Sequence, residues 1–496
     1  MKTYLFAAAS CLAIGIAAAP ASAQSAPHHD HMPGMQMPAP ETPDSEPPAS
    51  APTDHQHMPG MQMPAPETPD PQPPASAPTE HQHMPGMQMP PSGSAASDEH
   101  ANHDGHGMAM GAFGAYPMTR ESSGTAWQPD ASEHMGLMSQ TGEWTLMAHG
   151  VLNLVYDHQA GPRGDDKLFT SGMLMGMARR PVGNGTMQFR AMISPDPVMG
   201  KRGYPLLLAS GETANGVDRL IDRQHPHDFF MELSGSLSQN FGSNRSVFLY
   251  AGLPGEPAFG PPAFMHREAI MDSPEAPISH HWLDSTHITF GVLTAGVVLG
   301  RLKVEASRFN AREPDQHRWN IETGALDSTS VRLSWNPTQT LSLQGSWGHF
   351  EDPEQLEPGI DQKRWSASLL YAREIGDGWK LASTIAWGRK TVSHHGEALK
   401  DDAFVAEASL KKGPWTVFGR GETTENRELL EADEHGAAFD VGKISLGAVR
   451  DFRVAEHVSL GAGALVAVNF VPEGLAPLYG GNNPVGAMGF FRLKLD

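Results

Sequence analysis

Apolar and polar residues alternate in short runs from about residue 140 to the end of the chain. In 330–337, "SVRLSWNP", Val331, Leu333 and Trp335 fall on one face, and the same alternation continues through 458–470. Period-two patterns with aromatic residues near the run ends are typical of transmembrane β-strands. In "SGMLMGMAR" the alternating face carries methionines 173, 175 and 177, and we expect this face to contact lipid. The pattern predicts sixteen strands: 144–158, 167–180, 185–194, 228–240, 246–254, 286–297, 300–310, 328–336, 340–350, 363–374, 378–390, 402–411, 414–424, 438–452, 456–470 and 485–495.

Connections between these runs alternate between short and long. The short joins are rich in Gly, Asn, Asp and Pro, as in "NPTQT", "IGDG" and "KKGP". Bacterial outer-membrane barrels are built with short periplasmic turns and longer outer loops, whereas a β-sandwich has no reason to sort its connections in this way. We therefore predict an all-β fold, a transmembrane antiparallel up-and-down β-barrel of about 16 strands over residues 141–496. The long joins are 195–227, 255–285, 311–327, 351–362, 391–401, 425–437 and 471–484.

The chain before the barrel has a different composition. Residues 24–115, called the tail below, are dominated by Pro, Met, His, Ala, Ser and acidic residues, and no Lys or Arg occurs between Lys2 and Arg120. Such a segment cannot bury enough apolar surface to offset its ordering entropy, so it is predicted to be disordered, with stiff Pro-rich spacers. Residues 116–140 are interpreted as a linker.

The first 23 residues have the features of a secretory signal peptide. Lys2 precedes an apolar run, and Ala-Ser-Ala ends at Ala23. The only cysteine, Cys11, lies within this segment, so the predicted mature chain contains no thiol. A net charge of −21 argues against nucleic acid as a partner. No later stretch offers about 18 uninterrupted apolar residues, as a transmembrane helix requires. We expect a protein of the outer membrane of a Gram-negative bacterium, with the tail in the periplasm; a periplasmic all-β protein is the alternative.

The tail repeats a phrase rich in methionine and histidine. "HMPGMQMP" occurs three times at 26-residue intervals, and "DGHGMAM" follows. Thioether sulfur suits Cu(I) and imidazole binds Cu(I) and Cu(II), so these residues predict binding of copper ions without an organic cofactor. A simple Pro-rich spacer and a zinc or nickel site formed by histidines are the alternatives. The predicted ligands are His31, Met32, Met35, Met37, His55, His57, Met58, Met61, Met63, His81, His83, Met84, Met87, Met89, His100, His103, His106, Met108 and Met110.

Two long loops of the predicted barrel carry further histidines. Long barrel loops often fold into the lumen and define selectivity. These side chains could contact a metal there, or they could hydrogen-bond a folded loop together. The candidates are His225, His227, Asp228, His266, His280, His281 and His287. No G-x-S-x-G, P-loop or H-E-x-x-H motif is found, and we do not expect an enzyme.

The "HMPGMQMP" repeats and "DGHGMAM", followed by a barrel, resemble the copper-resistance outer-membrane proteins of the CopB/PcoB type. The resemblance is architectural, and it implies copper sequestration at the outer membrane or movement of copper across it. Expected partners are outer-membrane lipid, copper ions and a periplasmic copper oxidase or copper carrier. The alternative is a general porin or structural barrel with a Pro-rich spacer and no metal role.

Overall fold

The computed structural model describes residues 110–133, 136–394, 397–430 and 436–495. The predicted signal peptide and residues 24–109 of the tail lie outside this part of the chain. Within it, no helix is both long enough and apolar enough to cross a membrane.

The described part of the chain is built mainly from β-strands. They are β1 (Leu137–Thr141), β2 (Trp144–Gln159), β3 (Asp166–Val182), β4 (Gly185–Ile193), β5 (Tyr204–Thr213), β6 (Arg219–Gln224), β7 (Phe230–Asn240), β8 (Arg245–Gly252), β9 (Val292–Leu299), β10 (Leu302–Phe309), β11 (Ser328–Trp335), β12 (Leu341–Phe350), β13 (Gln362–Glu374), β14 (Trp379–His394), β15 (Glu397–Lys412), β16 (Trp415–Asn426), β17 (Phe439–Ala455), β18 (Val458–Phe470) and β19 (Val485–Leu495). Short helices are α1 (His280–Leu283), α2 (Ala476–Tyr479) and the 3-10 turns Met118–Arg120, Asp196–Met199, Phe264–His266 and Ser285–His287.

Sixteen of these strands close into one antiparallel barrel. Each barrel strand pairs with the next barrel strand in the chain, so that β4 pairs with β7, and β19 pairs back with β2. Strand β1 pairs with the first five residues of β2. The predicted fold class and strand number are confirmed, and each predicted run overlaps one barrel strand. The largest shifts are in β9, which begins at Val292 rather than 286, and in β15, which begins at Glu397 rather than 402.

The two faces of the barrel wall differ in polarity. In β11, Val331, Leu333 and Trp335 are exposed on the outside, while Arg332 and Ser334 between them are buried in the lumen. Closure of the barrel pairs the strand backbones, and the outward apolar side chains match the hydrocarbon core of a bilayer. The wall is therefore that of a transmembrane barrel with a polar interior.

The methionine face of β3 was predicted wrongly. Met173, Met175 and Met177 are buried in the lumen, and Leu168 and Leu174 on the other face are exposed. Both faces of this strand are apolar, so the alternation alone does not say which one meets lipid. Apolar side chains fit here because other apolar side chains in the lumen, such as Ile288 and Phe290, pack in the same cluster.

Residues 110–133, called the plug segment below, lie inside the short-turn end of the barrel. The Ser238 hydroxyl donates a hydrogen bond to the Ala112 carbonyl (2.6 Å), and the Ala131 N–H donates to the carbonyl of Gln339 (2.9 Å) in the turn after β11. Trp127 is buried with other aromatic side chains of the segment and the wall. Most of the predicted linker 116–140 is therefore packed against the wall.

Residues 253–291, called the inner loop below, cross the middle of the lumen. The Gly260 N–H donates to the Ser346 hydroxyl of β12 (3.0 Å), and Arg267 reaches Glu407 of β15 (2.7 Å). On β16, Glu422 accepts from the Ser279 N–H (3.1 Å). The inner loop is thus attached to strands on several sides of the barrel.

Strands β5 and β6 form a hairpin within the long connection 195–227, and this hairpin was not predicted. Its leucines 206, 207 and 208 are buried in an apolar cluster. Leu208 has a positive φ of 71°, and its N–H donates to the Asp222 carboxylate (2.7 Å). Asp222 also pairs with Arg163 and accepts from the Tyr479 hydroxyl, so the hairpin is fixed to the long-loop end of the barrel.

Candidate functional site

Five histidines predicted as loop ligands meet inside the barrel. We call His225, His227, His280, His281 and His287 the histidine cluster. Its rings lie close together: the centroid of His287 is 5.1 Å from that of His227 and 5.2 Å from that of His280. The centroid of His225 is 5.6 Å from that of His281. Two loops that are about 50 residues apart in the sequence therefore contribute to one cluster.

Oxygen atoms orient the rings of the cluster through their Nδ1 atoms. The Nδ1 of His227 lies 2.9 Å from the Asp196 carboxylate, and that of His280 lies 2.8 Å from the Asp284 carboxylate. The Nδ1 of His287 lies 2.7 Å from the backbone carbonyl of Asp284. The Nε2 atoms of His227 and His287 are buried and have no hydrogen-bond partner. Metal-binding histidines are commonly held in this way, with Nδ1 fixed by an oxygen and Nε2 left for the ion.

Burial keeps most of these imidazoles neutral. Burial lowers the pKa of His225 to about 3 despite the neighbouring Glu212 carboxylate. Burial also lowers the pKa values of His280 and His287. At His281 burial acts in the same direction, but the Glu313 carboxylate outweighs it and raises the pKa. A neutral imidazole is the form that binds a metal ion, so three members of the cluster are in this form at neutral pH.

Ion pairs surround the histidine cluster. Arg267 is fully buried and joins the Asp284 carboxylate to Glu407. Asp228, a predicted ligand, instead pairs with Arg318 (3.1 Å), and burial raises its pKa to about 7. These contacts fit the alternative that His and Asp hold the folded loops together.

The cluster is not a closed metal site as it stands. Among the residues that the structure describes, no group of three or more His, Cys, Asp or Glu side chains is placed to hold one ion. What the geometry does provide is a set of mostly neutral imidazoles inside the barrel, two of the five histidines having unpartnered Nε2 atoms.

The remaining predicted ligands lie elsewhere. His266 does not join the cluster and instead faces His149 of β2, with 6.2 Å between ring centroids. Met110 is exposed, and its carbonyl accepts a hydrogen bond from Arg179 (2.6 Å). The other predicted tail ligands, from His31 to Met108, lie outside the described residues.

Sequence reasoning missed the lumen-facing donors of the wall. His149 lies on β2 between the outward-facing Leu146 and Leu152, and its own side chain is buried. The alternation with these leucines was a usable signal for an inward histidine. The inward position of the β3 methionines had no such signal.

Comparisons with known proteins found similar solved structures but no match by sequence. No protein-family model matches the chain, and no curated protein matches it. Solved structures include outer-membrane expressed OmpT of Vibrio cholerae (8% identity, TM-score 0.42, 72% of this chain and 100% of that chain). Salmonella typhi OmpF in complex with daunomycin gives 12% identity and a TM-score of 0.45 over 72% of this chain and 100% of that one. The outer-membrane channel DcaP of Acinetobacter baumannii gives 11% identity and a TM-score of 0.40 over 72% of this chain and 100% of that one.

Because these TM-scores are below 0.5, the assignment of the fold rests on the chain itself. Its sixteen antiparallel strands close on themselves, its outer surface is apolar, and its interior is polar and charged. The chain is a transmembrane β-barrel of the outer-membrane type, with its own loops folded across the lumen.

Proposed function

We propose that this barrel acts in copper resistance, by sequestering copper at the outer membrane or by passing it across. In this proposal the tail lies in the periplasm, where its repeated Met and His residues bind copper ions. Of the 26 methionines in the chain, 11 fall in residues 28–110, in a stretch whose composition offers no core for them to fill. Soft thioether donors favour Cu(I) over the metals that histidine alone would select.

The observation that carries the proposal is the histidine cluster in the lumen. Passage of an ion requires sites that bind it and also release it. Imidazoles with unpartnered Nε2 atoms, as in His227 and His287, supply binding. Among the described residues, no three His, Asp or Glu side chains are placed to hold one ion, which favours exchange over permanent retention.

A general porin is less consistent with the interior of this barrel. General diffusion requires a water-filled channel. Here the inner loop is bonded to β10 and β12 on one side and to β15 and β16 on another. The plug segment adds a second obstruction near the short turns. Such a lumen suits a selective path for a small ion better than an open pore for solutes.

The proposal is tested by copper tolerance in cells. A strain lacking this chain would be complemented with the wild type, with a tail variant in which the repeat methionines become leucine, or with His227→Gln/His287→Gln. His158→Gln, an exposed histidine outside the cluster, is the matched control. We expect the tail and cluster variants to lower the copper concentration that permits growth, and the control to match the wild type. Equal tolerance in all strains, with equal amounts of folded barrel in the outer membrane, would refute the proposal.

The expected partners are outer-membrane lipid around the apolar wall and a periplasmic copper oxidase or copper carrier that exchanges copper with the tail. Affinity purification of the wild type and of the tail variant from copper-treated cells tests this. A periplasmic protein retained by the wild type alone would support the exchange.

A further inference from the structure

A second group of soft donors surrounds a cavity near the short-turn end of the barrel. The cavity has a volume of about 100 Å³ and lies between the wall, the inner loop and the plug segment. We call it the methionine chamber. Its sulfur and imidazole lining comes from β2, β3, the inner loop and the plug segment: Met147, His149, Met175, Met177, His266, Met271 and Met118.

The wall contributes a compact patch of four donors. In the pairing of β2 with β3, Met147 lies directly opposite Met177, and His149 lies directly opposite Met175. All four side chains alternate onto the lumen face. Side chains opposite each other on antiparallel strands have Cβ atoms about 5 Å apart, so two sulfur atoms and an imidazole can reach one ion without movement of the backbone.

Donors from the other side of the chamber face this patch. The ring of His266 lies 6.2 Å from that of His149 at an angle of 85°. Met271 follows on the inner loop, and Met118 belongs to the 3-10 turn of the plug segment. The chamber is therefore lined by soft donors on opposing sides, which a three- or four-coordinate ion requires.

Two polar atoms of the chamber are left without partners. The Nε2 of His266 and the Oε2 of Glu268 are buried, and neither makes a hydrogen bond. Buried polar atoms normally have a partner, and a bound cation would satisfy the Nε2 of His266.

Simple packing accounts for only part of this group of residues. The apolar cluster of Met173, Met192 and Met231 with Ile288 and Phe290 adjoins the chamber. It includes Met175, and Met147 packs against it. The chamber differs because there these two methionines share a cavity with two histidines and with carboxylates such as Glu268. A packed core would close such a space, and no apolar contact requires histidine there.

We propose that the methionine chamber binds one Cu(I) ion through thioethers of the β2–β3 patch together with His149 and His266. The choice of copper rests on the proposed function, whereas the soft-donor character of the site rests on its own residues. The chamber also lies close to the end of the tail. Met110, the last tail candidate, is bonded through its carbonyl to Arg179, two residues beyond Met177.

The test is an anaerobic Cu(I) titration of the full chain in detergent, in competition with bicinchoninate. A tail-substituted chain, in which the Met and His residues of 28–110 become Leu and Gln and which also carries His227→Gln/His287→Gln, isolates the chamber. We expect this chain to retain one Cu(I) ion. Adding Met175→Leu/Met177→Leu should weaken that binding at least tenfold, while Met231→Leu, a fully buried methionine outside the chamber, should leave it unchanged.

Leucine has nearly the volume of methionine, so these variants are expected to fold, and heat-modifiable mobility in gels checks this. If the folded tail-substituted chain retains no Cu(I), or if Met231→Leu weakens binding as much as the chamber variant, the chamber proposal is wrong. Failure of the proposed function is seen separately, as equal copper stoichiometry and equal copper tolerance with and without the tail donors.

Discussion

Arg267 holds the inner loop in the lumen, and its removal should loosen that loop. The guanidinium donates from Nε and Nη2 to the two oxygens of Glu407 at 2.7 and 2.8 Å, and from Nη1 to Asp284. None of these side chains is appreciably exposed. Arg267→Met leaves both carboxylates buried without this partner. We expect the free energy required to detach the inner loop from the wall to decrease.

The magnitude follows from what remains after the substitution. Breaking a buried ion pair by removing one partner costs about 3–5 kcal/mol. Arg420 still contacts Glu407 (3.2 Å), and His280 still contacts Asp284 (2.8 Å). We therefore take the lower end of this energy range. A loss of about 3 kcal/mol raises the detached fraction of the loop roughly 100-fold.

Hydrogen exchange and planar-bilayer conductance measure this change. We expect amides of 253–291 that exchange through detachment of the loop to exchange roughly 100-fold faster in Arg267→Met. Mean single-channel conductance should also rise. Arg245→Met, at an exposed arginine beside a short turn, is the matched control and should match the wild type. If Arg267→Met shows wild-type exchange and conductance, the inner loop is not held by this arginine and does not obstruct the lumen.

Two further predictions concern the plug segment and the wall. Burial alone would raise the pKa of Glu133, but Lys411 and Lys380 outweigh it and lower the pKa. The ion pairs of Glu133 therefore contribute stability that is present above about pH 4.5 and is lost as the pH falls through the lowered pKa. Thermal unfolding at pH 7 should show Glu133→Gln to be less stable than the wild type. The difference in stability should vanish once the pH falls below the lowered pKa of Glu133. A difference that does not depend on pH would contradict this. Ile385→Arg, on the outward face of β14, should destabilise the barrel in lipid by about 2–4 kcal/mol, against about 0–1 for Ile375→Arg at a short turn. Equal losses in urea unfolding from vesicles would mean that Ile385 does not lie in the bilayer.

Strand positions could be predicted because the wall has a regular period. Where one face is apolar and the other polar, as for Leu333 and Arg332 in β11, the alternation identifies both the strand and its orientation. In β3 both faces are apolar, and the pattern located the strand but misplaced Met175. The orientation of such a strand depends on what fills the lumen.

The lumen could not be predicted from local patterns. The bend of β5 at Leu208 is stabilised by Asp222, which lies 14 residues away. The meeting of His227 with His287 depends on two separate loops that fold against each other. Contacts of this kind depend on tertiary packing, so they cannot be predicted from the spacing of residues along the chain.

The central claim, that this barrel binds copper, is tested most directly by X-ray absorption at the copper edge. The full chain would be purified without chelators from cells grown with copper. We predict several copper ions per chain, with a first shell dominated by sulfur and a smaller contribution from imidazole nitrogen. A chain that retains no copper, or one whose copper has only nitrogen and oxygen neighbours, would contradict the account.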